Sequence, residues 1–233
     1  MIANYLSRAK EEKRNFLLEH EAKDFLAERG LEVTRAFQAE NFEKAKAKSL
    51  ELGYPVVLKI ASAKALHKSD LGGVILNISN EDELRKAYGD LEQKLLSLED
   101  EKGTITVQKM EPPGLEVIVG MQRNPHFGPV IMFGLGGILT EIFADVTFRM
   151  VPLSWEDAGE MPEAIKGRKL LNGYRNMPAV DREALQELIF KTSQICWENP
   201  WIHELDLNPV LLHAKGLKVV DARIILNNAG LQS

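Results

Sequence analysis

The sequence predicts a mixed α/β fold. After about residue 15, segments with helical spacing of apolar residues alternate with short runs rich in Val and Ile. Gly or Pro stands at the ends of most of these segments, as is usual where helices and strands stop. This alternation is typical of sheets covered by helices, so we expect both kinds of element to share the core.

Composition narrows the class of protein. The chain has 233 residues, of which 45% are apolar and 27% charged, with a formal net charge of −5. These values are typical of a globular protein, and the negative charge disfavours a nucleic-acid partner. The single cysteine, Cys196, excludes an internal disulfide, and no apolar run is long enough to span a membrane. We expect a cytoplasmic protein that binds neither nucleic acid nor membrane.

Capping residues and periodicity define the elements of the first half. Asn41 and Asn80 each stand before a helical pattern, and Gly30 and Gly53 follow one. The predicted helices are 18–29, 42–52 and 80–98, and the predicted strands are 33–37, 56–60, 74–78 and 104–110. Pro112, Pro113 and Gly114 then force a turn, where we place a boundary between subdomains.

The second half continues the same alternation. Asp181 stands where it can cap a helix that Pro200 ends. The predicted strands are 116–120, 129–133 and 149–153, the predicted helical regions are 155–171 and 182–198, and 201–212 pairs with 217–225 in a hairpin. The turn residues 214–216 include Gly216, which suits a hairpin connection.

The C-terminal hairpin carries the most informative polar residues. Because side chains alternate along a strand, Glu204, Asp206 and Asn208 share one face while Leu205 and Leu207 share the other. Acidic residues flanked so closely by apolar ones indicate the wall of a cleft. The alternative is a solvated hairpin face.

The same hairpin predicts a magnesium site. If His213 pairs with Leu217 across the turn, Asp221 lies opposite Pro209 and therefore close to Asn208. Carboxylate and amide oxygens are the hard ligands that hold Mg²⁺ while leaving positions for water and phosphate. We predict Asn208 and Asp221 as metal ligands.

A second group of residues suits a phosphate. Lys59 ends an apolar strand and would project one positive charge from a sheet. The following loop contains His67, Lys68 and Ser69 as donors, and Gly72 and Gly73, whose bare backbone can approach phosphate oxygens. The chain has neither a Walker loop nor a dinucleotide fingerprint after a strand. Residues 133–137, FGLGG, come near the latter, but a tight bend explains these glycines equally well.

Six segments together resemble a known family. They are GYPVVLKI at 53–60, HKSDLGGV at 67–74, VQKM at 107–110, GPVIMFGLGGI at 128–138, DVTFRMVPL at 145–153 and ELDLNPV at 204–210. Over roughly residues 15–227 the chain resembles the ATP-grasp subunit, called β, of the ADP-forming acetate–CoA ligases, which are relatives of succinyl-CoA synthetase. The resemblance implies an ATP-grasp fold, α/β (α+β), with two subdomains and the nucleotide between them. The smaller subdomain would be 20–108, and the larger one 1–19 with 109–233.

The resemblance also implies roles for individual residues. Lys59 is similar to the phosphate-binding lysine, Glu116 to the carboxylate that binds ribose, and residues 108–110 to the strand whose backbone holds adenine. The implied nucleotide-binding set is Lys59, Gly72, Gly73, Gln108, Lys109, Met110 and Glu116, with ADP or ATP and Mg²⁺ as cofactors. Asn208 and Asp221 correspond to the metal ligands, in agreement with the hairpin argument. Asp206 corresponds to a carboxylate that meets a phosphohistidine of the partner subunit.

The implied reaction is the reversible conversion of acyl-CoA, ADP and phosphate into a carboxylic acid, CoA and ATP. Imidazole suits the phosphoryl relay because it is nucleophilic when neutral and leaves readily when protonated. Succinyl-type relatives have a loop without histidine where this chain has His67, so we predict that His67 is itself phosphorylated. In the alternative reading His67 only donates a hydrogen bond to phosphate.

The family's reaction also needs sites that this sequence does not offer. We therefore expect a partner α subunit with the CoA-binding domain and a phosphohistidine, in an α2β2 heterotetramer. Two alternatives stay open: an ATP-grasp carboxylate ligase for another substrate class, and a nucleotide-sensing subunit without catalysis. The HKSD loop at 67–70 speaks against the first alternative, and the presence of Lys59, Asn208 and Asp221 speaks against the second.

Overall fold

The structure is a computed structural model that describes residues 2–64, 71–98, 100, 102–137, 144–175 and 177–227. The helices are α1 (Ile2–Glu11), α2 (Glu19–Ala27), α3 (Phe42–Leu52), α4 (Glu81–Ser97), α5 (Trp155–Ala164) and α6 (Arg182–Glu198), with a 3₁₀ helix at Lys166–Asn172. The strands are β1 (Phe16–Leu17), β2 (Ala36–Ala39), β3 (Val56–Ala61), β4 (Val74–Ile78), β5 (Thr104–Lys109), β6 (Leu115–Asn124), β7 (Gly128–Leu135), β8 (Val146–Met150), β9 (Ile202–Leu212), β10 (Leu217–Val219) and β11 (Ala222–Leu226). No helix in these ranges combines the length and the apolar content needed to cross a membrane.

The chain divides into two compact units. The larger unit comprises Met1–Leu17, Phe25–Val33 and Pro113–Ser233, and the smaller unit comprises Leu18–Asp24 and Thr34–Pro112. Compared with the expected subdomains, Phe25–Val33 therefore lies with the larger unit, while Leu18, Glu19 and residues 109–112 lie with the smaller one. Helix α2 begins in the smaller unit and ends in the larger one.

The described part of the larger unit contains one antiparallel sheet. The strand order is β1-β11-β9-β6-β7-β8, and β10 also pairs with β9. Leu205 and Leu207 point to one face and are fully buried, while Glu204 and Asp206 alternate with them and are half-buried. Because burial of one leucine contributes about 1.5–3 kcal/mol, this alternation fixes which face of β9 carries the polar residues.

The smaller unit contains a second antiparallel sheet, with strand order β2-β5-β3-β4. Its core packs Leu58 and Ile60 of β3 and Val107 of β5 against residues of α4 such as Leu84. Lys59 lies between Leu58 and Ile60 in β3, so its side chain points to the opposite face of this sheet. The cross-strand pair Val57 and Gln108 lies on that same face.

The predicted N-cap residues of three helices are confirmed. Asn41 accepts a hydrogen bond from the Lys44 backbone N–H at 2.9 Å, and Asn80 accepts one from Glu83 at the same distance. Asp181 caps α6 by accepting from the Ala184 backbone N–H at 3.0 Å. Each cap satisfies one of the N–H groups that a helix start leaves without a partner.

Several expected strand positions were wrong by a few residues. The strand expected at 33–37 is β2, Ala36–Ala39. The strand expected at 149–153 is β8, Val146–Met150, because pairing with β7 opposes Thr147 to Phe133 and Met150 to Val130. In the hairpin, Leu212 and not His213 is opposite Leu217. The reason is a longer turn, which is closed by a hydrogen bond from the His213 N–H to the Gly216 carbonyl at 3.1 Å.

Candidate functional site

The corrected hairpin register brings the two predicted metal ligands closer than expected. Asp221 is opposite Asn208 and not Pro209, and the Asn208 N–H donates to the Asp221 carbonyl at 3.2 Å. The Asn208 side chain is exposed and Asp221 is half-buried. This backbone hydrogen bond places the amide side chain of Asn208 and the carboxylate of Asp221 on neighbouring segments of the chain.

This donor set fits a magnesium ion. Among the residues that the structure describes, no three His, Cys, Asp or Glu side chains are grouped so as to hold a metal ion. Asn208 contributes an amide, which lies outside that set of residue types. Mg²⁺ is commonly held by one or two protein oxygens with water and phosphate as the remaining ligands, so Asn208 and Asp221 suffice for such a site.

Asp206 lies next to the Asn208 and Asp221 pair on the same face of β9. Burial raises the pKa of its carboxyl to about 6, and the nearby carboxylates of Glu204 and Asp221 add to the rise, while Arg223 opposes it. Arg223 is the cross-strand partner of Asp206. Asp206 is therefore a carboxylate held among other negative charges, which favours contact with a cationic or protonated group.

A groove of about 450 Å³ lies beside Asp206 on the same face. Glu204 and Asp206 form its acidic side, and Met132 and Phe148 form part of its apolar side. Gly120 lines the groove next to both groups, since a Cβ built there would make ordinary van der Waals contacts, 3.9 Å from Asp206 Oδ1 and 3.4 Å from Met132 Cε. The groove therefore offers both a charged and an apolar surface to a ligand.

Glu116, the residue predicted to bind ribose, is exposed on β6 and lies against the glycine-rich bend. The Gly136 N–H donates to the Glu116 carbonyl at 2.7 Å. A Cβ at Gly136 would lie 2.9 Å from the Glu116 Cβ, and one at Gly137 would lie 3.1 Å from Glu116 Oε2. These two glycines therefore permit a close approach of the bend to Glu116, whereas Gly134 packs against Val146 and Asp145.

In the smaller unit, Lys59 is 4% exposed. Its Nζ lies 2.8 Å from Oε1 of Glu19. Lys59 is therefore a buried lysine held against a carboxylate of α2.

The backbone next to Lys59 holds the predicted phosphate loop at both ends. The Ile60 N–H donates to the Gly73 carbonyl at 2.8 Å, and Gly72 adopts a left-handed conformation with φ of 59°. At the other end, Asp100 accepts from the Ser62 hydroxyl at 2.5 Å and from the Ala63 N–H at 3.1 Å. Burial favours a higher pKa for Asp100, but these hydrogen bonds hold it below its usual range. His67, with Lys68 and Ser69, lies outside the described residues.

The predicted adenine strand is the end of β5 and the residue after it. Gln108 is 1% exposed, and its side chain accepts from Lys23 Nζ at 2.7 Å. Lys109 Nζ donates to the carbonyls of Gly53 and Tyr54. The Met110 N–H donates to the Pro55 carbonyl at 3.1 Å, so this N–H is already engaged in the structure.

Sequence reasoning missed three charged residues beside these groups. Glu19 and Lys23 were read only as positions in a helix, and their contacts with Lys59 and Gln108 join distant parts of the sequence. Arg223 was also missed, although it alternates with Asp221 in the strand predicted at 217–225, which was the available signal. Its Nε is buried and has no hydrogen-bond partner among the residues that the structure describes.

Comparison with known proteins identifies the class. A family profile described as an ATP-grasp domain matches residues 8–226, and the chain belongs to this family. Its fold is accordingly the ATP-grasp fold, built here from antiparallel sheets with helices.

Two of its relatives are ADP-forming acetate–CoA ligases. It is 44% identical, over 95% of this chain and 96% of the relative, to the subunit beta of acetate–CoA ligase [ADP-forming] I of Pyrococcus furiosus. It is 43% identical to acetate–CoA ligase [ADP-forming] II of Archaeoglobus fulgidus, covering 90% of this chain but only 30% of that longer relative.

Solved structures similar to this chain belong to an acetyl-coenzyme A synthetase. The dinucleotide forming acetyl-coenzyme A synthetase 1 of Ca. Korarchaeum cryptofilum, in complex with coenzyme A and Ca-AMPCP, has a TM-score of 0.92 and 47% identity. The same enzyme with coenzyme A and Mg-AMPPCP, its phosphohistidine segment pointing towards the nucleotide binding site, has a TM-score of 0.85 and 46% identity. Both matches cover 97% of this chain and 100% of the other.

Proposed function

We propose that this chain is the nucleotide-binding subunit of an ADP-forming acyl-CoA synthetase. The reaction is acyl-CoA, ADP and phosphate to carboxylic acid, CoA and ATP, reversibly, through phosphohistidine intermediates. The observation that carries the proposal is the pairing of Asn208 with Asp221 beside Asp206, because it supplies metal-binding oxygens next to a carboxylate in a groove. The likeness to a separate beta subunit over 96% of its length supports the same assignment.

We assign the residues of the larger unit as follows. Asn208 and Asp221 hold Mg²⁺, which neutralises charge on the phosphates when it is bound. Glu116 binds the ribose hydroxyls, and the close approach of Gly136 and Gly137 leaves its carboxylate flanked by backbone instead of side chains.

The smaller unit supplies the remaining nucleotide contacts. Lys59, Gly72 and Gly73 bind phosphate, and residues 108–110 bind adenine. Because the Met110 N–H is engaged with Pro55, we assign any backbone contact of Met110 with adenine to its carbonyl. In phosphoryl transfer nearly all of the catalysis comes from positioning and charge stabilisation, which suits residues held this firmly by their neighbours.

We further propose that Asp206 receives a phosphohistidine of a partner α subunit. The groove beside Asp206 suits a segment with a protonated imidazole, since its acidic wall favours the cation and Phe148, which is 56% exposed, offers apolar contact. Phe133 is fully buried and belongs to the core, so between these two aromatic residues it is Phe148 that a partner can contact. The α subunit would also carry the CoA-binding domain, in an α2β2 heterotetramer.

His67 completes the proposed relay as a second phosphorylated residue. This assignment rests on the sequence, in which a histidine stands close before Gly72 and Gly73. Neutral imidazole Nε2 or Nδ1 would attack phosphorus as the bond to the first histidine breaks, and the phosphoryl group would then pass to the terminal oxygen of ADP.

A reconstitution experiment tests the proposed function. This chain, alone and with the protein of a neighbouring gene that encodes a CoA-binding domain, is assayed for ATP formation from acetyl-CoA, ADP and phosphate with Mg²⁺. We expect Mg-nucleotide binding by the chain alone, measured calorimetrically, and turnover only with the partner. Robust turnover by the purified chain alone would overturn the subunit assignment, and absence of nucleotide binding would overturn the nucleotide site.

A further inference from the structure

Two buried lysines share one carboxylate in the smaller unit. Oε1 of Glu19 lies 2.6 Å from Lys23 Nζ and 2.8 Å from Lys59 Nζ. Lys23 is fully buried, and both Glu19 and Lys59 are 4% exposed. Glu19 therefore contacts the proposed phosphate-binding lysine from within the fold.

The contact extends to the proposed adenine strand. Lys23 Nζ donates to Oε1 of Gln108 at 2.7 Å. Because a lysine ammonium can only donate, the Gln108 atom that faces it must be the oxygen, which fixes the orientation of the amide. Lys59, Glu19, Lys23 and Gln108 thus form one continuous chain of charged and polar contacts.

A contribution to folding stability does not by itself explain this buried cluster of charged and polar residues. Removing charges from water is costly, and buried ion pairs are often replaced by well-packed apolar residues without loss of stability. A flexible lysine side chain, however, loses much rotamer freedom when it must be ordered by a ligand. A carboxylate that holds the ammonium before the ligand arrives removes this cost from binding.

We propose that Glu19 is a positioning residue for Lys59, and that Lys23 holds Glu19 in place and ties it to Gln108. The lysine that meets the phosphates and the strand that meets the base are then ordered together before nucleotide binds. This inference rests on the proposed role of Lys59 in nucleotide binding.

The test measures the dissociation constant for Mg-ADP of the purified chain by calorimetry. Glu19→Gln keeps the shape of the side chain and one acceptor oxygen but removes the charge. We expect binding about tenfold weaker, because the nucleotide must then order the Lys59 side chain itself. Glu81→Gln is the matched control, since Glu81 pairs with Lys46 and Arg85 at the surface of the same unit, and it should bind as the wild type does.

A double-mutant cycle separates positioning from a general structural effect. If Glu19 acts through Lys59, Glu19→Gln should weaken binding in the wild type but add nothing in a Lys59→Met background. Lys23→Met, which removes the cation that holds Glu19, should weaken binding less than Glu19→Gln, and beside Lys59→Met only the part that it exerts through Gln108 should persist. Thermal melts ensure that each variant is folded at the assay temperature, and Lys23→Met supplies the cycle if Glu19→Gln is too unstable.

Two results would overturn the inference. One is wild-type affinity in both Glu19→Gln and Lys23→Met, and the other is a loss that adds in full to that of Lys59→Met. Failure of the proposed function looks different, because then the wild-type chain binds no Mg-ADP or Lys59→Met binds it normally.

Discussion

Asn208 of β9 is joined to Asp221, which lies between β10 and β11, by a backbone hydrogen bond of 3.2 Å between the Asn208 N–H and the Asp221 carbonyl. The path of the hairpin therefore brings an amide and a carboxylate together. Their proximity depends on the hairpin register, so a change of register would also alter the proposed metal site.

Asp221→Asn should lower turnover with the partner by two or more orders of magnitude at saturating Mg²⁺, because it removes the only formal charge that we assign to the metal ligands. Folding should be unaffected, since the asparagine has the same shape. Steady-state rates and a thermal melt check both statements. Lys215→Ala, an exposed change in the turn of the same hairpin, should leave the rate unchanged. A normal rate in Asp221→Asn would remove this residue from the site.

His67→Gln distinguishes the two readings of the loop. Glutamine keeps a hydrogen-bond donor but cannot accept a phosphoryl group, so a covalent relay predicts loss of turnover with Mg-ADP affinity within a few fold of wild type. Retention of most of the activity would support the donor reading instead. Incubation with labelled ATP should place acid-labile, base-stable label on the wild-type chain and none on the variant.

Asp206→Asn should raise the stability of the chain and lower its activity. Burial is the main cause of the raised pKa of Asp206, and the nearby carboxylates of Glu204 and Asp221 add to it, so replacing the charge by an amide removes both the desolvation cost and the repulsion. We expect the melting temperature of the metal-free chain to rise by roughly 2–4 °C, which corresponds to about 1 kcal/mol for a chain of this size. Turnover with the partner should fall. A melting temperature below that of the wild type would contradict the idea that the charge of Asp206 destabilises the folded chain.

Asp181→Ala should destabilise the larger unit in a pH-dependent way. The carboxylate accepts from the Gly216 N–H at 2.8 Å and from Ala184 at 3.0 Å, and these bonds lower the pKa of Asp181. A lowered carboxyl pKa gives stability that is present above the unfolded value, about 3.9, and is lost as the pH falls through the folded value.

We therefore expect the Asp181→Ala chain to lose about 1–2 kcal/mol at pH 7, and the difference from wild type to shrink below about pH 4. Urea unfolding at several pH values measures this. Asp181→Asn should lose less, because its amide oxygen can still accept from Ala184. Equal losses at pH 7 and pH 3 would show that the carboxylate charge is not involved.

Local chemistry made much of the fold predictable. The caps Asn41, Asn80 and Asp181 act within three residues, so their effect can be read from neighbouring letters. The proximity of Asn208 and Asp221 was predictable because one short turn connects their strands. The register was not, since the turn length depends on the bond that closes it between His213 and Gly216.

The contacts of Glu19 were beyond sequence reasoning. Lys59 is 40 residues away from Glu19, and Lys23 is 85 residues away from Gln108. In the sequence, Glu19 and Lys23 are one helical turn apart and read as a common surface pair on a helix. Only the packing of α2 makes this pair fully buried.

The smaller unit is assembled from two pieces of chain, Leu18–Asp24 and Thr34–Pro112, separated by Phe25–Val33 of the larger unit. A fragment excised as 34–112 would keep all four strands of its sheet but lose Glu19 and Lys23. Since Lys59 and Gln108 would then face water or collapse onto each other, the excised fragment is a poor substitute for the whole chain in binding studies. Grafting this module into another protein would require carrying the earlier helical turn with it, as a discontinuous insertion.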